Sequence, residues 1–241
     1  VIILLARSIA KCQNSPMHNV KSDNTGKPFV WTHEYLIKLL STGKSPIITD
    51  PIYLNAFRAI DRRHFVPEEF QNDAYRDRSI PIGFEEEMTS PVVLAREISA
   101  LSPRVGGKYL QLGTGSGYLA AILSFIVGKT GQVYSLERLQ WLWQQARKNL
   151  EKYPSLKSSL SILYRDGMEG LMDKAPYEGI VVSYALDEIP DVLLHQLLPG
   201  GKIIYPGTDL NLYVAEKGIE NELETEVLTG VLFKPVKSGL A

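Results

Sequence analysis

Between residues 108 and 205, short apolar runs with strand character alternate with stretches whose apolar residues recur at helical spacing. Lys108–Leu112, Gln132–Leu136, Leu160–Tyr164, Gly179–Tyr184 and Lys202–Tyr205 read as strands. Tyr118–Val127, a long segment from about Leu139 to Tyr153, and Leu193–Leu197 read as helices, and Gly128-Lys129-Thr130-Gly131 and Pro199-Gly200-Gly201 punctuate the pattern as turns. Regular strand–helix alternation predicts an α/β fold, a doubly wound and mostly parallel sheet covered on both faces. Upstream, Leu36, Leu39 and Leu40, then Leu54, Phe57 and Ile60, mark amphipathic helices over His33–Ser41 and Pro51–Asp61. His64–Glu87 reads as loop-rich. It leads to Met88-Thr89-Ser90-Pro91, where a cap residue followed by Pro opens a helix over Pro91–Leu101. Downstream, Leu212–Glu216 and Val227–Pro235 predict two strands near a sheet edge, and the polar stretch Gln13–Lys27 reads as a linker before a folded body starting near Phe29.

Composition removes several classes of chemistry. The chain has 241 residues, 44% of them apolar, enough for one large core. Its net charge is −1 with Lys and Arg scattered among Asp and Glu, so nucleic acid is not an expected partner. A single cysteine, Cys12, excludes an intrachain disulfide framework and a thiolate metal cage. His33-Glu34 begins like the HExxH zinc motif, but Ile37 stands where its second histidine belongs, so no metal is expected. Val1–Leu5 are apolar and Ser8-Ile9-Ala10 resembles a signal-peptidase site. Residues 1–27 are therefore expected to be a flexible tail or a clipped export signal, with cytoplasmic residence the main expectation and export the alternative. No later stretch approaches the roughly 20 apolar residues of a membrane span.

The plainest chemical signal is the turn Gly113-Thr114-Gly115-Ser116-Gly117 between the first strand and first helix of the alternating region. Glycines there let a ligand approach the backbone at a helix end whose free N–H groups favour electronegative atoms. A dinucleotide fingerprint would place its third glycine at Tyr118, and a P-loop would need Gly-Lys-Ser/Thr, so the spacing favours S-adenosyl-L-methionine over NAD or a nucleotide phosphate. Glu137, ending the second strand, is placed to accept from ribose hydroxyls, and Asp166, in Arg165-Asp166-Gly167 past the third, from the adenine amine. Each has a plainer reading: Glu137 could pair with Arg138 or Lys148, and Asp166 could serve as a turn residue.

These residues, together with Phe65-Val66-Pro67-Glu68-Glu69-Phe70, Ala74-Tyr75-Arg76-Asp77, Pro81-Ile82-Gly83, Ala175-Pro176-Tyr177, Leu198-Pro199-Gly200-Gly201 and Val231-Leu232-Phe233-Lys234-Pro235, resemble the protein-L-isoaspartate (D-aspartate) O-methyltransferases over roughly Tyr35 to Val236. The resemblance implies a Rossmann-like class I methyltransferase fold. In it, residues 28–103 would form amino-terminal helices and a substrate loop, and residues 104–241 a cofactor-binding core, in one domain. It further implies methylation of the carboxylate of L-isoaspartyl residues in damaged proteins or peptides; a monomer is expected. The family's Gln-Thr-Ile-Ser run maps without gaps onto Glu86, Glu87, Met88 and Thr89, so Thr89 would stand at the acceptor carboxylate. Glu87, Met88, Ser90 and Tyr184 would line the acceptor site, and Gln111, Gly113, Thr114, Gly115, Ser116, Gly117, Glu137, Arg138, Asp166 and Gly167 would bind the cofactor. Departures are the acidic run Glu85–Glu87, Gln111 in place of an acidic residue, Arg165 before Asp166, and the bulky Tyr184. Glu85–Glu87 could equally be solvated carboxylates before a helix start, and Thr89 and Ser90 capping residues. Arg76 and Arg78 could steer an acidic peptide or stay in solvent. A related methyltransferase with another acceptor, or a cofactor-binding homologue without isoaspartyl activity, are the alternatives these departures raise.

Overall fold

The computed structural model describes residues 30–209, 211–220, 222–230 and 240; the tail, Cys12, the linker and residues 231–235 of the last expected strand lie outside them. Helices α1 (His33–Ser41) and α2 (Pro51–Ala59) each begin on a side-chain cap. Thr32 accepts from the Tyr35 N–H, and Asp50 accepts from the Ile52 N–H with Pro51 in the first turn. Their buried faces carry Leu36, Ile37 and Leu40, then Ala56 and Phe57.

The segment read as loop-rich is more ordered than its pattern suggested. Two 3₁₀ turns, Arg62–Phe65 and Glu68–Asp73, precede an antiparallel hairpin of β1 (Ile80–Gly83) and β2 (Glu86–Met88). Strands this short give too few alternations to show a period of two. The corner residues Phe84 and Glu85 both have positive φ, 54° and 61°. That is the geometry of a tight two-residue hairpin, adopted here without glycine at either corner. Helix α3 (Pro91–Leu101) follows, with Ser90 as its cap.

The main sheet has seven strands in the order β5-β4-β3-β6-β7-β8-β9. They are β3 (Lys108–Leu112), β4 (Gln132–Glu137), β5 (Leu160–Tyr164), β6 (Tyr177–Val182), β7 (Leu197–Pro206), β8 (Asn211–Lys217) and β9 (Leu223–Gly230). β5 through β7 pair in parallel, and β8 and β9 are antiparallel additions. Helices α4 (Tyr118–Val127) and α5 (Gln140–Leu150) cross between β3, β4 and β5 as expected, and α6 (Asp191–Leu194) is a single turn before β7. Leu197, expected to end that helix, instead pairs with Tyr177 in the sheet. This also moves the start of β6 back from Gly179 to Tyr177. β9 starts earlier than the apolar run at Val227 suggested. Glu224 and Glu226 on an exposed edge disguise it, and charges on an edge strand discourage pairing with another chain.

Alternation along the strands divides the core into two. Tyr109, Val133, Val181 and Ile204 face α1–α5, whereas Leu110, Leu136, Ile180 and Ile203 face α6 and the segment around Leu171. From β3 the chain steps outward through β4 to β5, then returns to β6 on the other side of β3. The reversal opens a crevice at the carboxyl ends of β3 and β6, where ligands bind in open α/β sheets.

Candidate active site

The glycine turn leaves β3 directly into that crevice. Gly113, Gly115 and Gly117 have φ of 89°, 55° and 90°, a region that L side chains avoid. A Cβ added at Gly113 would lie 3.2 Å from Ser183 Cβ, and one at Gly117 would lie 3.3 Å from Ala146 Cβ. The turn is anchored by the Gly113 and Thr114 N–H groups, which donate to the Leu136 carbonyl at 2.9 and 3.0 Å. Asn149 Nδ2 donates to the Ser116 carbonyl at 3.0 Å.

A closed polar chain supports the turn from below. Thr114 Oγ1 and Ser135 Oγ are 2.6 Å apart, Ser135 donates to Gln111 Oε1 at 3.0 Å, and Gln111 Nε2 donates to the Gly113 carbonyl at 2.9 Å. Gln111 is fully buried and its amide is occupied, so it holds the turn's shape from beneath. A neutral amide satisfies this position because it both donates and accepts, which a carboxylate cannot do.

Glu137 ends β4 beside the turn and is only 4% exposed. Its Oε2 accepts from the Gly115 N–H at 2.8 Å and its Oε1 from the Leu139 N–H at 2.9 Å. The pairing with Arg138 or Lys148 allowed by the sequence is thus replaced by backbone donors. Burial raises its pKa, the Gly115 and Leu139 N–H bonds oppose the rise, and nearby Glu86 adds to it. Asp166, past β5, accepts from the Met168 N–H at 3.0 Å, so it does serve its own turn. That bond uses one carboxylate oxygen. Gly167 packs against Leu112, and Tyr184, past β6, approaches both glycines: added Cβ atoms would lie 3.4 Å from Tyr184 Oη at Gly167 and 3.6 Å from Tyr184 Cδ1 at Gly113. Tyr184 thus narrows the crevice, and burial and the Asp166 charge push its pKa up.

The β1–β2 hairpin lies against the turn. A Cβ at Gly115 would be 3.2 Å from Ile82 Cδ1, and one at Gly83 would be 3.3 Å from the Trp141 ring at the start of α5. Phe84 and Trp141, with ring centroids 5.7 Å apart, form a half-exposed aromatic edge beside it. Trp143 instead donates its Nε1–H to the Ile162 carbonyl at 3.2 Å. In β2, Glu86 and Met88 share the inward face, whereas Glu87 is exposed. Thr89 is half-buried, and its hydroxyl bonds to none of the described residues. Ser90 is occupied as the α3 cap, accepting from the Val93 N–H at 3.5 Å, and Asp77 accepts from the Val92 N–H at 3.1 Å. Arg76 and Arg78 both pair with Asp73, at 2.8 and 3.4 Å.

Sequence reasoning missed Ile82, Ser135, Asp77 and the inward direction of Glu86. It also missed Arg62, a buried guanidinium over the Tyr118 ring whose Nε and Nη1, like Tyr118 Oη, have no hydrogen-bond partner among the described residues. No group of three or more His, Cys, Asp or Glu among the described residues could hold a metal ion, and no described helix is long and apolar enough to cross a membrane.

A mostly parallel seven-stranded sheet with a glycine turn at its reversal point, a buried carboxylate ending the next strand and an Asp past the third define a class I S-adenosylmethionine-dependent methyltransferase. The model of the protein-L-isoaspartate(D-aspartate) O-methyltransferase family matches residues 32–241, and the chain belongs to that family. Among curated relatives, the protein-L-isoaspartate O-methyltransferase of Aeropyrum pernix is 37% identical over 196 residues, covering 80% of this chain and 75% of the relative. That of Bordetella avium is also 37% identical over 196 residues, covering 80% and 73%. The fold matches a Plasmodium falciparum chain assigned to the same activity and solved with S-adenosyl-L-homocysteine, with TM-score 0.75 and 23% identity over 85% of this chain and 98% of that one. A second solved protein-L-isoaspartate O-methyltransferase gives TM-score 0.73 at 24% identity, over 87% and 67%.

Proposed function

We propose that this protein transfers the methyl group of S-adenosylmethionine to the free carboxylate of L-isoaspartyl residues in damaged proteins, a repair methylation. Family membership over residues 32–241 is the observation that carries this reading. The site fits the cofactor: three positive-φ glycines leave a cradle that added Cβ atoms would crowd, and Glu137 keeps acceptor capacity beside it. Bound there, S-adenosylmethionine supplies a methyl group already activated on a positively charged sulfur.

On this reading the chain's own residues orient the reactants and exclude water. Gly113, Thr114, Gly115, Ser116 and Gly117 hold the methionine end, Glu137 with Arg138 the ribose, and Asp166 with Gly167 the adenine. The acceptor carboxylate, with an ordinary pKa of about 4, is ionised at neutral pH and needs no general base. Thr89 donates its free hydroxyl to that carboxylate, Met88 supports the acceptor strand, and Tyr184 limits the width of the cleft. Residues 28–103 supply the acceptor side and residues 104–241 the cofactor side. The protein acts as a cytoplasmic monomer, and it acts without nucleic acid, the latter supported by its scattered, nearly balanced charge.

Thr89→Val tests the central role. It removes one donor at almost unchanged volume, so turnover of an isoaspartyl peptide falls about tenfold or more, the worth of one hydrogen bond to a charged group. Affinity for S-adenosylhomocysteine by calorimetry stays within about twofold, since that factor is only ~0.4 kcal/mol. Equal loss of both, or loss of neither, overturns the assignment.

A further inference from the structure

Both oxygens of the Glu137 carboxylate already serve the backbone. A carboxylate offers about four lone-pair sites. The Gly115 N–H occupies one on Oε2 at 2.8 Å and the Leu139 N–H one on Oε1 at 2.9 Å. A ribose presents two vicinal hydroxyls as donors, and about one site on each oxygen is left to receive them. The structure holds a second carboxylate in the right neighbourhood. The β1–β2 hairpin is wedged between the glycine turn and the start of α5, with Ile82 against Gly115 and Gly83 against Trp141. Those two elements flank Glu137 along the chain. Glu86 pairs in register with Gly83 and lies on the inward face of β2, half-buried where Glu85 and Glu87 are exposed.

We propose that Glu86 is a second ribose acceptor, which shares with Glu137 the two hydroxyls of the cofactor. The proposal rests on Glu137 as the ribose residue and extends it. The Glu86 carboxylate takes no hydrogen bond or ion pair from a described residue, and its charge adds, after burial, to the rise of the Glu137 pKa. The two carboxylates repel; a diol that donates one O–H to each eases that conflict and gives each a charge-assisted bond. This gives Glu86 a cofactor role, whereas Glu87 lies on the exposed face of β2.

Calorimetric binding of S-adenosylhomocysteine and its 2′-deoxy and 3′-deoxy analogues to the intact protein tests the idea without reference to turnover. On the unmodified protein, each analogue should bind about tenfold or more weakly than the parent, as expected for loss of a bond to a charged acceptor. Glu86→Ala should weaken the parent by a similar factor and abolish the penalty for one of the two analogues, leaving the other intact. Glu86→Gln, which keeps an accepting oxygen without the charge, should retain part of that penalty, and serves as the folded control if the alanine variant is unstable. Full penalties for both analogues in Glu86→Ala and Glu86→Gln would overturn the role of Glu86 alone. If neither analogue is penalised on the unmodified protein, the ribose assignment of Glu137 fails with it.

Discussion

Glu97 offers a quantitative test of how the acceptor side is held. It lies in α3, the helix that Ser90 caps and Thr89 precedes, on the same buried face as Leu94, Ile98 and Leu101. Only 2% of it is exposed, and burial alone pushes its carboxyl from 4.5 up to about 8. Since the folded-state value lies above the unfolded one, the folded protein holds a proton that the unfolded chain gives up between these values. Its stability contribution is therefore complete below pH 4.5 and is lost as pH rises through about 8. The shift caps the alkaline penalty at about 5 kcal/mol. Glu97→Gln imitates the protonated form and never ionises. Urea unfolding of both proteins at pH 5, 7 and 9 should show stabilities within about 1 kcal/mol of each other at pH 5 and a widening advantage for the variant, about 3 kcal/mol or more by pH 9. Isoaspartyl turnover should fall less steeply with alkaline pH in the variant, because α3 then keeps Thr89 in place. A stability difference that does not change between pH 5 and pH 9 would refute the reasoning and mean that the charge is compensated within the fold.

Gly113→Ala puts a Cβ 3.2 Å from Ser183 Cβ at a φ of 89°, on a backbone tied at both its N–H and its carbonyl. Strain of about 1 to 3 kcal/mol is expected in thermal unfolding, with cofactor affinity by calorimetry lowered at least tenfold; native affinity would show that the turn has slack. Tyr118→Phe removes a buried hydroxyl that has no partner among the described residues, so unfolding stability should stay level or rise by about 1 kcal/mol. A loss of that size would reveal a partner, such as a water shared with Arg62.

The parts of the fold legible in the sequence are those with long, regular patterns. Residues 108–164 contain strands and helices whose apolar period persists for several turns, and their expected limits lie within a few residues of the observed ones. The hairpin at Ile80–Met88 was illegible because its corners, Phe84 and Glu85, are not residues that advertise positive φ, and its strands are too short to alternate clearly. In the candidate site, the positions of the glycine turn, Glu137 and Asp166 at successive strand ends were readable because the strands that carry them have regular patterns. Direction was not. Whether Glu86 or Glu87 faces the turn depends on a one-residue register, and the occupation of Ser90 as a cap and Gln111 as a support depends on partners distant in sequence.

The most direct test of the account is a radiolabelled methyl-transfer assay with purified protein, an isoaspartyl peptide and the same peptide containing normal aspartate. The account predicts label in the isoaspartyl peptide as a base-labile ester and none above background in the aspartyl control. Cofactor binding with no transfer to the isoaspartyl peptide, or equal labelling of both peptides, would contradict it.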